Sequence, residues 1–355
     1  MKVLMTTDTV GGVWTYALEL ADALAPHGVR VSLAAMGPRP NEAQEAEVRA
    51  SSVDRFEHAE VKLEWMAEPW EDVERAGEWL LALADEVRPD VVHLNGYAHG
   101  ALSWSVPTLV AAHSCVLSWH RAVKGGDAPC EWDEYEAALG AGLAAADALV
   151  APTRALLDEV VSLYGPSCEA HVIPNGRRPL ASPAAKEPFI LSAGRLWDEG
   201  KNAAALDRVA PRLSWPVVLA GEGDASGGGA RVLGRLSPAE LGGYLARAAI
   251  YAAPARYEPF GLGALEAGLA GCALVLGDIP SLREVWGDAA LFVDPSDDDA
   301  LASALELLIA DDGRRRDLGA RARRRALPYS TERMARAYVH LYERLVARSP
   351  AEAAA

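Results

Sequence analysis

The feature that most constrains the fold is a repeated alternation of short apolar runs with helix-like stretches. In the first half of the chain the apolar runs occupy residues 2–7, 29–35, 90–95, 108–113 and 148–153. Short runs that are apolar throughout and bounded by turn residues are typical of strands buried on both faces. Ala- and Leu-rich stretches with helical spacing lie between them, as at residues 13–25 and 79–87. This alternation predicts a parallel sheet wrapped by helices.

The same pattern restarts after a proline-containing segment at residues 174–188, which interrupts any regular element and is the predicted hinge. The second set of strand-like runs occupies residues 189–195, 216–223, 231–236, 250–255, 272–278 and 291–295. A length of 355 residues also suits two domains. We therefore predict an α/β protein with an N-terminal domain at 1–175, a C-terminal domain at 176–329 and a final helix at 330–347 that packs back towards the N-terminal domain.

The negative charge is concentrated in the first half of the chain. The formal net charge is -16; residues 1–169 hold 11 Lys and Arg against 27 Asp and Glu, and the remainder holds 23 of each. An acidic surface repels nucleic acid and anionic lipid, so neither is an expected partner. A neutral or cationic acceptor suits this half better than an anionic one.

The chain shows no feature of a secreted or membrane-inserted protein. It contains no uncharged apolar run of about 18 residues, and its first residues lack a signal-peptide pattern. The four cysteines are far apart and form no CxxC pair, which supports neither a disulfide framework nor a thiolate metal site. We expect a cytoplasmic protein with free thiols and no stable membrane insertion.

The segment RYEPFGLGALEAGLAG at residues 256–271 is the most informative one for function. It places Glu258 just after a predicted strand, then a turn with Gly261 and Gly263, then a helix that carries Glu266. The start of a helix exposes unpaired backbone N–H groups and a partial positive charge, which suit a phosphate. The alternative is an ordinary surface pair of Glu residues around a strand–helix turn.

These residues resemble family 4 of the glycosyltransferases, whose signature is E-x-F-G-x-x-x-x-E. Glu258, Phe260, Gly261 and Glu266 match it position by position. The resemblance implies a GT-B architecture: two facing Rossmann-like domains with parallel sheets and an interdomain cleft. It also implies that Glu258 holds hydroxyls of the donor sugar, that Glu266 binds the ribose hydroxyls, and that the amides of Phe260, Gly261 and Leu262 meet the diphosphate.

A second motif, GRLWDEGKN at residues 194–202, supplies two cations at a predicted strand end. In the family the corresponding Arg and Lys stabilise the leaving diphosphate, so the resemblance assigns Arg195 and Lys201 to this role and implies that no metal cofactor is needed. The spacing departs from the common one, because Lys201 follows Arg195 by six positions rather than five, and Asn202 stands where a Gly is usual. Asp198 or Glu199 is the alternative partner of either cation.

The resemblance also adds residues from the first half of the chain to the site. Gly11 and Gly12 follow the first strand and are expected near the donor phosphate, although such a pair also suits a plain tight turn. His113 ends a strand and is expected to contact the donor sugar, and with Arg195, Lys201 and Glu258 it completes the implied catalytic set.

Fewer motifs point to the residues that bind the nucleotide base and the acceptor. The family resemblance implies that Gly234, Arg235 and Leu236 line the base, beside a loop that is short here at residues 224–231. The segment 114–135 matches no motif, but its Trp119, Arg121 and Trp132 are expected to form one wall of the acceptor site, because aromatic faces stack on sugars.

The predicted function is that of a hexosyltransferase that moves a sugar from a nucleoside-diphosphate-sugar donor to an acceptor hydroxyl with retention, forming an α-glycosidic bond. The acceptor is expected to be a sugar, a glycoside or a natural-product scaffold. Two alternatives stay open: a retaining disaccharide phosphorylase on the same fold, and a catalytically silent partner subunit that binds sugar nucleotides. A dinucleotide-dependent oxidoreductase is disfavoured because no GxGxxG follows the first strand.

Overall fold

The computed structural model describes residues 1–223 and 227–348. Contacts between residues divide the chain into two compact units. Unit 1 contains Met1–Ser118, Asp127–Gly176 and the chain from Thr331 onward, and unit 2 contains Trp119–Gly126 and Arg177–Ser330.

The first half of the chain alternates strands with helices. Its elements are β1 (Lys2–Asp8), α1 (Gly12–Leu24), β2 (Arg30–Met36), α2 (Glu42–Ala50), β3 (Arg55–Ala59), α3 (Trp70–Val87), β4 (Val91–Leu94), β5 (Thr108–Ala111), α4 (Val116–Lys124), α5 (Asp133–Ala145), β6 (Ala148–Ala151), α6 (Arg154–Tyr164) and β7 (Glu169–Val172). The strands form one parallel sheet in the order β3-β2-β1-β4-β5-β6-β7. The order reverses direction between β1 and β4, which makes their carboxyl ends the place where a ligand is expected.

The second half repeats this plan. Its elements are β8 (Glu187–Ala193), α7 (Ala203–Val209), β9 (Val217–Ala220), β10 (Arg231–Val232), α8 (Pro238–Arg247), β11 (Ala248–Ala253), α9 (Leu262–Leu269), β12 (Ala273–Gly277), α10 (Pro280–Trp286), β13 (Leu291–Val293), α11 (Asp298–Ala310), α12 (Asp312–Ala326) and α13 (Thr331–Arg348). The parallel sheet runs β10-β9-β8-β11-β12-β13, with the reversal between β8 and β11. Each sheet carries an apolar cluster on either face. The predicted fold class of two Rossmann-like sheets is therefore confirmed.

The sequence prediction was wrong by omission at two strands of the first sheet. β3 and β7 lie at its two edges and carry polar, partly exposed side chains. A search for continuous apolar runs finds only strands that are covered on both faces, so edge strands escape it. α3 was also predicted too short, because it begins at Trp70 rather than at residue 79.

α12 is rich in arginine between residues 314 and 325, and Leu318, Ala322 and Ala326 are buried on it. Its arginines are not all on a solvated face. Arg315 has 13% of its side chain exposed and lies with its guanidinium carbon 4.7 Å from the Trp215 ring centroid. Stacking on an aromatic ring therefore explains the presence of one arginine in this segment.

α13 packs against α1 within unit 1 and buries Tyr338 and Tyr342 there. The four cysteines are free thiols, as expected. No helix within the described ranges is both long and apolar enough to cross a membrane. Over the same residues, no three His, Cys, Asp or Glu side chains converge as metal ligands.

Candidate active site

The carboxyl ends of the unit 2 strands bring together the two halves of the predicted donor site. The Lys201 Nζ donates to Glu258 Oε2 at 2.6 Å, and the two side chains are 26% and 20% exposed. The backbone N–H groups of Arg256 and Tyr257 both donate to the carbonyl of Gly200. The loop after β8 and the loop after β11 therefore form one surface.

Arg195 is held by the alternative partner that its own loop supplies. Its Nη2 donates to Asp198 Oδ2 at 2.8 Å, while Asp198 Oδ1 accepts from the backbone N–H of Gly200 at 2.9 Å. Burial alone would raise the pKa of Asp198, but the hydrogen bond from Arg195, together with its positive charge, brings that pKa below its usual value. Arg195 remains 42% exposed beside this nearly buried carboxylate. The ion pair fixes the guanidinium at the strand end without removing it from solvent.

Asn202 performs the backbone role of the glycine usual at its position. Its φ is +55°, a left-handed conformation that Asn tolerates better than most residues. The side-chain amide donates to the carbonyls of Pro254 and Pro295 at 2.9 and 2.8 Å. The departure from the family pattern therefore preserves the turn that leads from Lys201 into α7.

The turn before α9 also requires an unusual backbone. Gly261 has a φ of +90° and precedes the first residue of the helix, Leu262. A side chain there would be strained, which explains the glycine. The hydroxyl of Ser281 donates to the carbonyl of Glu258 at 2.5 Å, which ties the turn to α10. The first amides of α9 are thereby presented beside Glu258.

Glu266 lies on the second turn of α9 and forms an ion pair that no sequence pattern predicts. Its Oε1 accepts from the Nε of Arg177 at 2.7 Å, and the side chains are only 10% and 9% exposed. Arg177 is the first residue of the second segment of unit 2. A buried carboxylate with a fixed cationic partner is held in one orientation.

The predicted base-binding loop contacts the Arg195 loop through glycines. The N–H of Gly221 donates to the carbonyl of Gly234 at 2.8 Å, and a Cβ on Gly221 would lie 1.7 Å from the carbonyl oxygen of Gly194. Arg235 and Leu236 follow at the start of the next loop. Close backbone approach therefore places Gly234 next to the strand end that carries Arg195.

Asp207 is buried and holds the short loop through hydrogen bonds. The sequence patterns did not identify this residue. Its carboxylate accepts from the backbone N–H groups of Gly228, Gly229 and Ala230 at 2.8, 3.1 and 3.0 Å. Residues 224–226, which complete the predicted short segment, lie outside the described residues. Three charge-assisted hydrogen bonds fix the described end of the loop.

In unit 1, the loop between β1 and α1 is closed by the last residue of the strand. Asp8 Oδ1 accepts from the N–H groups of Val10 and Gly11 at 3.0 and 3.2 Å. Gly11 caps α1 and Gly12 begins it. The predicted glycine pair thus lies at a helix start, and Asp8 is the residue that holds it there.

His113 follows β5 and is oriented by Asn95 rather than by a charged group. Its Nε2 lies 2.7 Å from Asn95 Oδ1, and Asn95 Nδ2 donates to the carbonyl of Thr6 at 2.7 Å. Because the amide oxygen only accepts, His113 Nε2 carries the hydrogen and Nδ1 is left as an acceptor. Burial lowers the pKa of His113 to about 4, so the ring is neutral at pH 7.

A buried aromatic cluster packs against His113. Tyr16 packs edge-on against His113 with ring centroids 4.5 Å apart, and its hydroxyl donates to that of Tyr338 at 2.6 Å. His93 Nδ1 lies 2.6 Å from the hydroxyl of Tyr342, and burial lowers the pKa of His93 to about 3. α13 therefore helps to fix the environment of His113.

The three residues suggested for the acceptor fall in different settings. Trp119 belongs to unit 2, where its indole N–H donates to Asp198 Oδ1 at 3.1 Å. Trp132 belongs to unit 1 and packs edge-on against Tyr135. Arg121 lies on α4 and is exposed. Asp198 therefore accepts hydrogen bonds from both Trp119 and Arg195. The contact with Trp119 was not predicted, because the two residues are far apart in sequence.

Comparison with known families covers nearly the whole described chain. Residues 10–179 match the family described as Glycosyltransferase Family 4, and residues 179–325 match that described as Glycosyl transferases group 1. Among solved structures, the chain is similar to a sucrose-phosphate synthase from Thermosynechococcus elongatus, with a TM-score of 0.80 at 20% identity over 98% of this chain and 99% of that one. It is also similar to Anabaena HepE in complex with UDP and glucose, with a TM-score of 0.79 at 15% identity over 97% of this chain and 99% of that one.

One of two relatives of known name is a glycosyltransferase that acts on an inositol phosphate, and the other is a glycogen synthase. A D-inositol 3-phosphate glycosyltransferase of Xylanimonas cellulosilytica is 29% identical over 97% of this chain and 94% of its own length. The glycogen synthase of Mycobacterium tuberculosis is 31% identical over 74% of this chain and 71% of its own length. The chain is therefore a glycosyltransferase with the GT-B fold and belongs to glycosyltransferase family 4.

Proposed function

We propose that this glycosyltransferase moves a hexosyl group from a nucleoside-diphosphate sugar to an acceptor hydroxyl with retention of configuration, forming an α-glycosidic bond without a metal ion. The observation that carries the proposal is the surface formed by Arg195, Lys201 and Glu258 beside the start of α9. Two cations and several helix-start N–H groups at one sheet edge suit a diphosphate.

In the proposed ground state, the diphosphate occupies the space beside the first turn of α9 and draws Arg195 and Lys201 towards it. Each cation is held by a carboxylate, Asp198 and Glu258 respectively. The carboxylates keep the cations at the strand ends, and the phosphate oxygens then compete for them with stronger, charge-assisted hydrogen bonds. Glu258 is released to accept hydrogens from hydroxyls of the sugar.

Glu266 is proposed to bind the ribose hydroxyls, with Arg177 fixing its carboxylate. Gly234, Arg235 and Leu236 are proposed to line the base, and Phe260, Gly261 and Leu262 to meet the diphosphate. Gly11 and Gly12 at the start of α1 are proposed to bind the donor phosphate. His113 is proposed to contact the donor sugar through Nδ1, the acceptor nitrogen that its bond to Asn95 leaves available to a ligand hydroxyl.

In the proposed reaction, the bond between the anomeric carbon and the phosphate oxygen breaks while the acceptor oxygen attacks from the same face. The acceptor proton passes to the departing phosphate. Arg195, Lys201 and the α9 amides stabilise the negative charge that develops on that phosphate. These cations supply the positive charge that a metal ion provides in other transferases, which supports a metal-free reaction.

The first test is thermal unfolding in EDTA with UDP, GDP, ADP and dTDP added in turn. A ligand that binds only the folded chain adds about 2.7 kcal/mol at 100 times its Kd. We expect one nucleotide to raise the unfolding midpoint by several degrees. A response to phosphate with a disaccharide, and to none of the nucleotides, would favour a phosphorylase instead.

A further inference from the structure

A recess opens in unit 1 at the reversal point between β1 and β4. Its volume is about 50 Å³, and the residues that matter most for its chemistry are Asp8, Lys62, Glu64, Trp65 and Asn95. About one probe sphere of 10–15 Å³ is needed for a water molecule, so this volume suits one small substituent rather than a whole sugar ring.

The recess adjoins the candidate active site through a shared side chain. Asn95 lines it and also accepts the hydrogen bond from His113 Nε2 at 2.7 Å. Asp8, which closes the β1–α1 loop, lines it from the other strand. A group seated in the recess therefore belongs to a ligand that lies next to His113 and to the start of α1.

The charge of the recess is negative. Glu64 accepts from the N–H groups of Tyr97 and Ala98 at 3.1 and 2.9 Å; burial raises its pKa, and the nearby charge of Asp8 raises it further. The ammonium of Lys62 is turned onto the carbonyls of Ala67 and Glu68 at 3.0 and 3.1 Å.

The remaining titratable group of the lining is neutral. His99 Nε2 lies 3.0 Å from the carbonyl of Val73, and burial lowers the pKa of this ring. Two carboxylates and one engaged ammonium leave the recess with an excess of negative charge. An anionic substituent would enter against like charge, whereas a hydroxyl or an ammonium would find acceptor oxygens.

The rim of the recess offers an aromatic face. Trp65 is 37% exposed, which is unusual for so large an apolar side chain in this molecule. A partly exposed indole next to polar acceptors is the usual arrangement for a sugar or polyol ring, whose C–H face packs on the aromatic ring while its hydroxyls reach the polar groups.

We propose that this recess selects the acceptor: it takes one uncharged or cationic substituent, a hydroxyl, hydroxymethyl or amino group, of a sugar or polyol whose ring packs on Trp65. The inference rests on the proposed transfer to an acceptor hydroxyl and specifies the acceptor class. It separates this chain from its relatives named D-inositol 3-phosphate glycosyltransferases, because the acceptor in that name is anionic.

The test uses glucose, glucosamine and glucose 6-phosphate as probes, with Kd values measured by saturation-transfer NMR on the full chain in the presence of the nucleotide that stabilises it. We expect glucosamine to bind at least as tightly as glucose, and glucose 6-phosphate to bind about tenfold more weakly or worse. Glu64→Gln is expected to reduce the penalty for the phosphate about threefold, because one like charge is removed.

Trp65→Ala is expected to weaken glucose and glucosamine binding about fivefold to tenfold, and Trp65→Phe to restore most of it. Leu307→Ala, which removes another exposed large apolar side chain on α11, is the matched control and should change nothing. Equal or tighter binding of glucose 6-phosphate, an unchanged Kd in Trp65→Ala, or no binding of any probe at 100-fold the concentration of protein would overturn the inference.

The nucleotide response of the same samples separates the two proposals. If a nucleotide stabilises the chain and the sugar series fails, the acceptor inference falls while the proposed donor chemistry stands. If no nucleotide binds and no nucleoside diphosphate is released from any nucleotide sugar, the proposed function itself falls, and the acceptor assignment falls with it.

Discussion

The carboxyl edges of the two sheets have the same geometry and opposite chemistry. In unit 2 the reversal between β8 and β11 presents Arg195 and Lys201. In unit 1 the reversal between β1 and β4 presents Asp8 and Glu64. The strand order determines where a ligand binds, and the side chains at that edge determine which chemical group it presents.

The two edges also differ in how their polar groups are held. In unit 2 the cations form ion pairs, with exposed fractions of 26–42%, that a phosphate is able to exchange. In unit 1 a neutral histidine is oriented through an amide and a backbone carbonyl. We conclude that one edge is suited to stabilise charge that develops during reaction, and the other to position uncharged groups.

The largest effect is expected from removing both cations of unit 2. Arg195→Ala with Lys201→Ala should lower kcat/KM by about 10⁴-fold, because each removed donor to a developing charge costs about 10²–10³-fold. Steady-state kinetics with the identified donor would measure this. Arg208→Ala, whose ion pair with Asp298 is exposed, is the control and should stay near wild type. A kcat/KM of the double variant within tenfold of wild type would contradict the proposal that these two cations stabilise the departing phosphate.

The next effect concerns the buried ion pair of Arg177 with Glu266. Arg177→Ala leaves the carboxylate without this partner in a nearly buried position, and we expect the free energy of unfolding to fall by about 3 kcal/mol. Nucleotide affinity should also fall. Adding Glu266→Gln should recover much of the stability but not the affinity, as measured by denaturant unfolding and nucleotide titration. Equal stability of the single and double variants would contradict the pairing.

Unit 1 should lose stability in acid through its buried histidines. The pKa of His93 is lowered from 6.5 to about 3 and that of His113 from 6.5 to about 4, both because of burial. The unfolded chain therefore binds more protons, so the stability is fully present above about pH 6.5 and is lost as the pH falls towards 4. At pH 5 the loss is about 2 kcal/mol for each group.

Native-state hydrogen exchange of the β4 amides at pH 7.5, 6 and 5 would follow this loss in unit 1 alone. His93→Gln should reduce the dependence on pH by about 2 kcal/mol between pH 7.5 and 5. The same slope in the variant and in the wild type would show that His93 is not the group that titrates.

A smaller effect should follow from releasing the orientation of His113. Asn95→Leu removes the oxygen that fixes Nε2 as the hydrogen-bearing nitrogen, and we expect kcat to fall about tenfold, the loss of roughly one hydrogen bond. Nucleotide affinity should be unchanged, because Asn95 acts on His113, which is proposed to contact the donor sugar and not the nucleotide. Asn41→Ala, which removes only the cap of α2, serves as the matched control. A change in nucleotide Kd without a change in kcat would refute the positioning role.

The sequence predicted the parts of the fold and site that local patterns encode. The central strands of both sheets were recognised because both of their faces are covered and most of their residues are apolar. The relation of Glu258 to Gly261 was visible because one turn contains both, and the structure shows why Gly261 is needed there, with its φ of +90°. Arg195 and Lys201 likewise lie on one loop, so their closeness in the fold was visible from the sequence.

The parts that escaped prediction are set by tertiary contacts. Arg177 and Glu266 are 89 positions apart, and Asn95 and Thr6 are also 89 apart, so no periodicity joins them. In the sequence, nothing distinguishes Asp207 from other Asp residues on helices. Its role becomes visible only in the structure, where its carboxylate accepts hydrogen bonds from the backbone N–H groups of residues 228–230. Such residues have no local signature, because their role is defined by a loop distant in sequence.

The most direct test of the account is the anomeric configuration of the first product, followed by NMR in EDTA with the nucleotide sugar that the stabilisation experiment identifies. The account predicts that an α-configured donor gives an α-linked product and that release of nucleoside diphosphate continues without added metal. A β-linked product, or transfer that EDTA abolishes and a divalent ion restores, would contradict it.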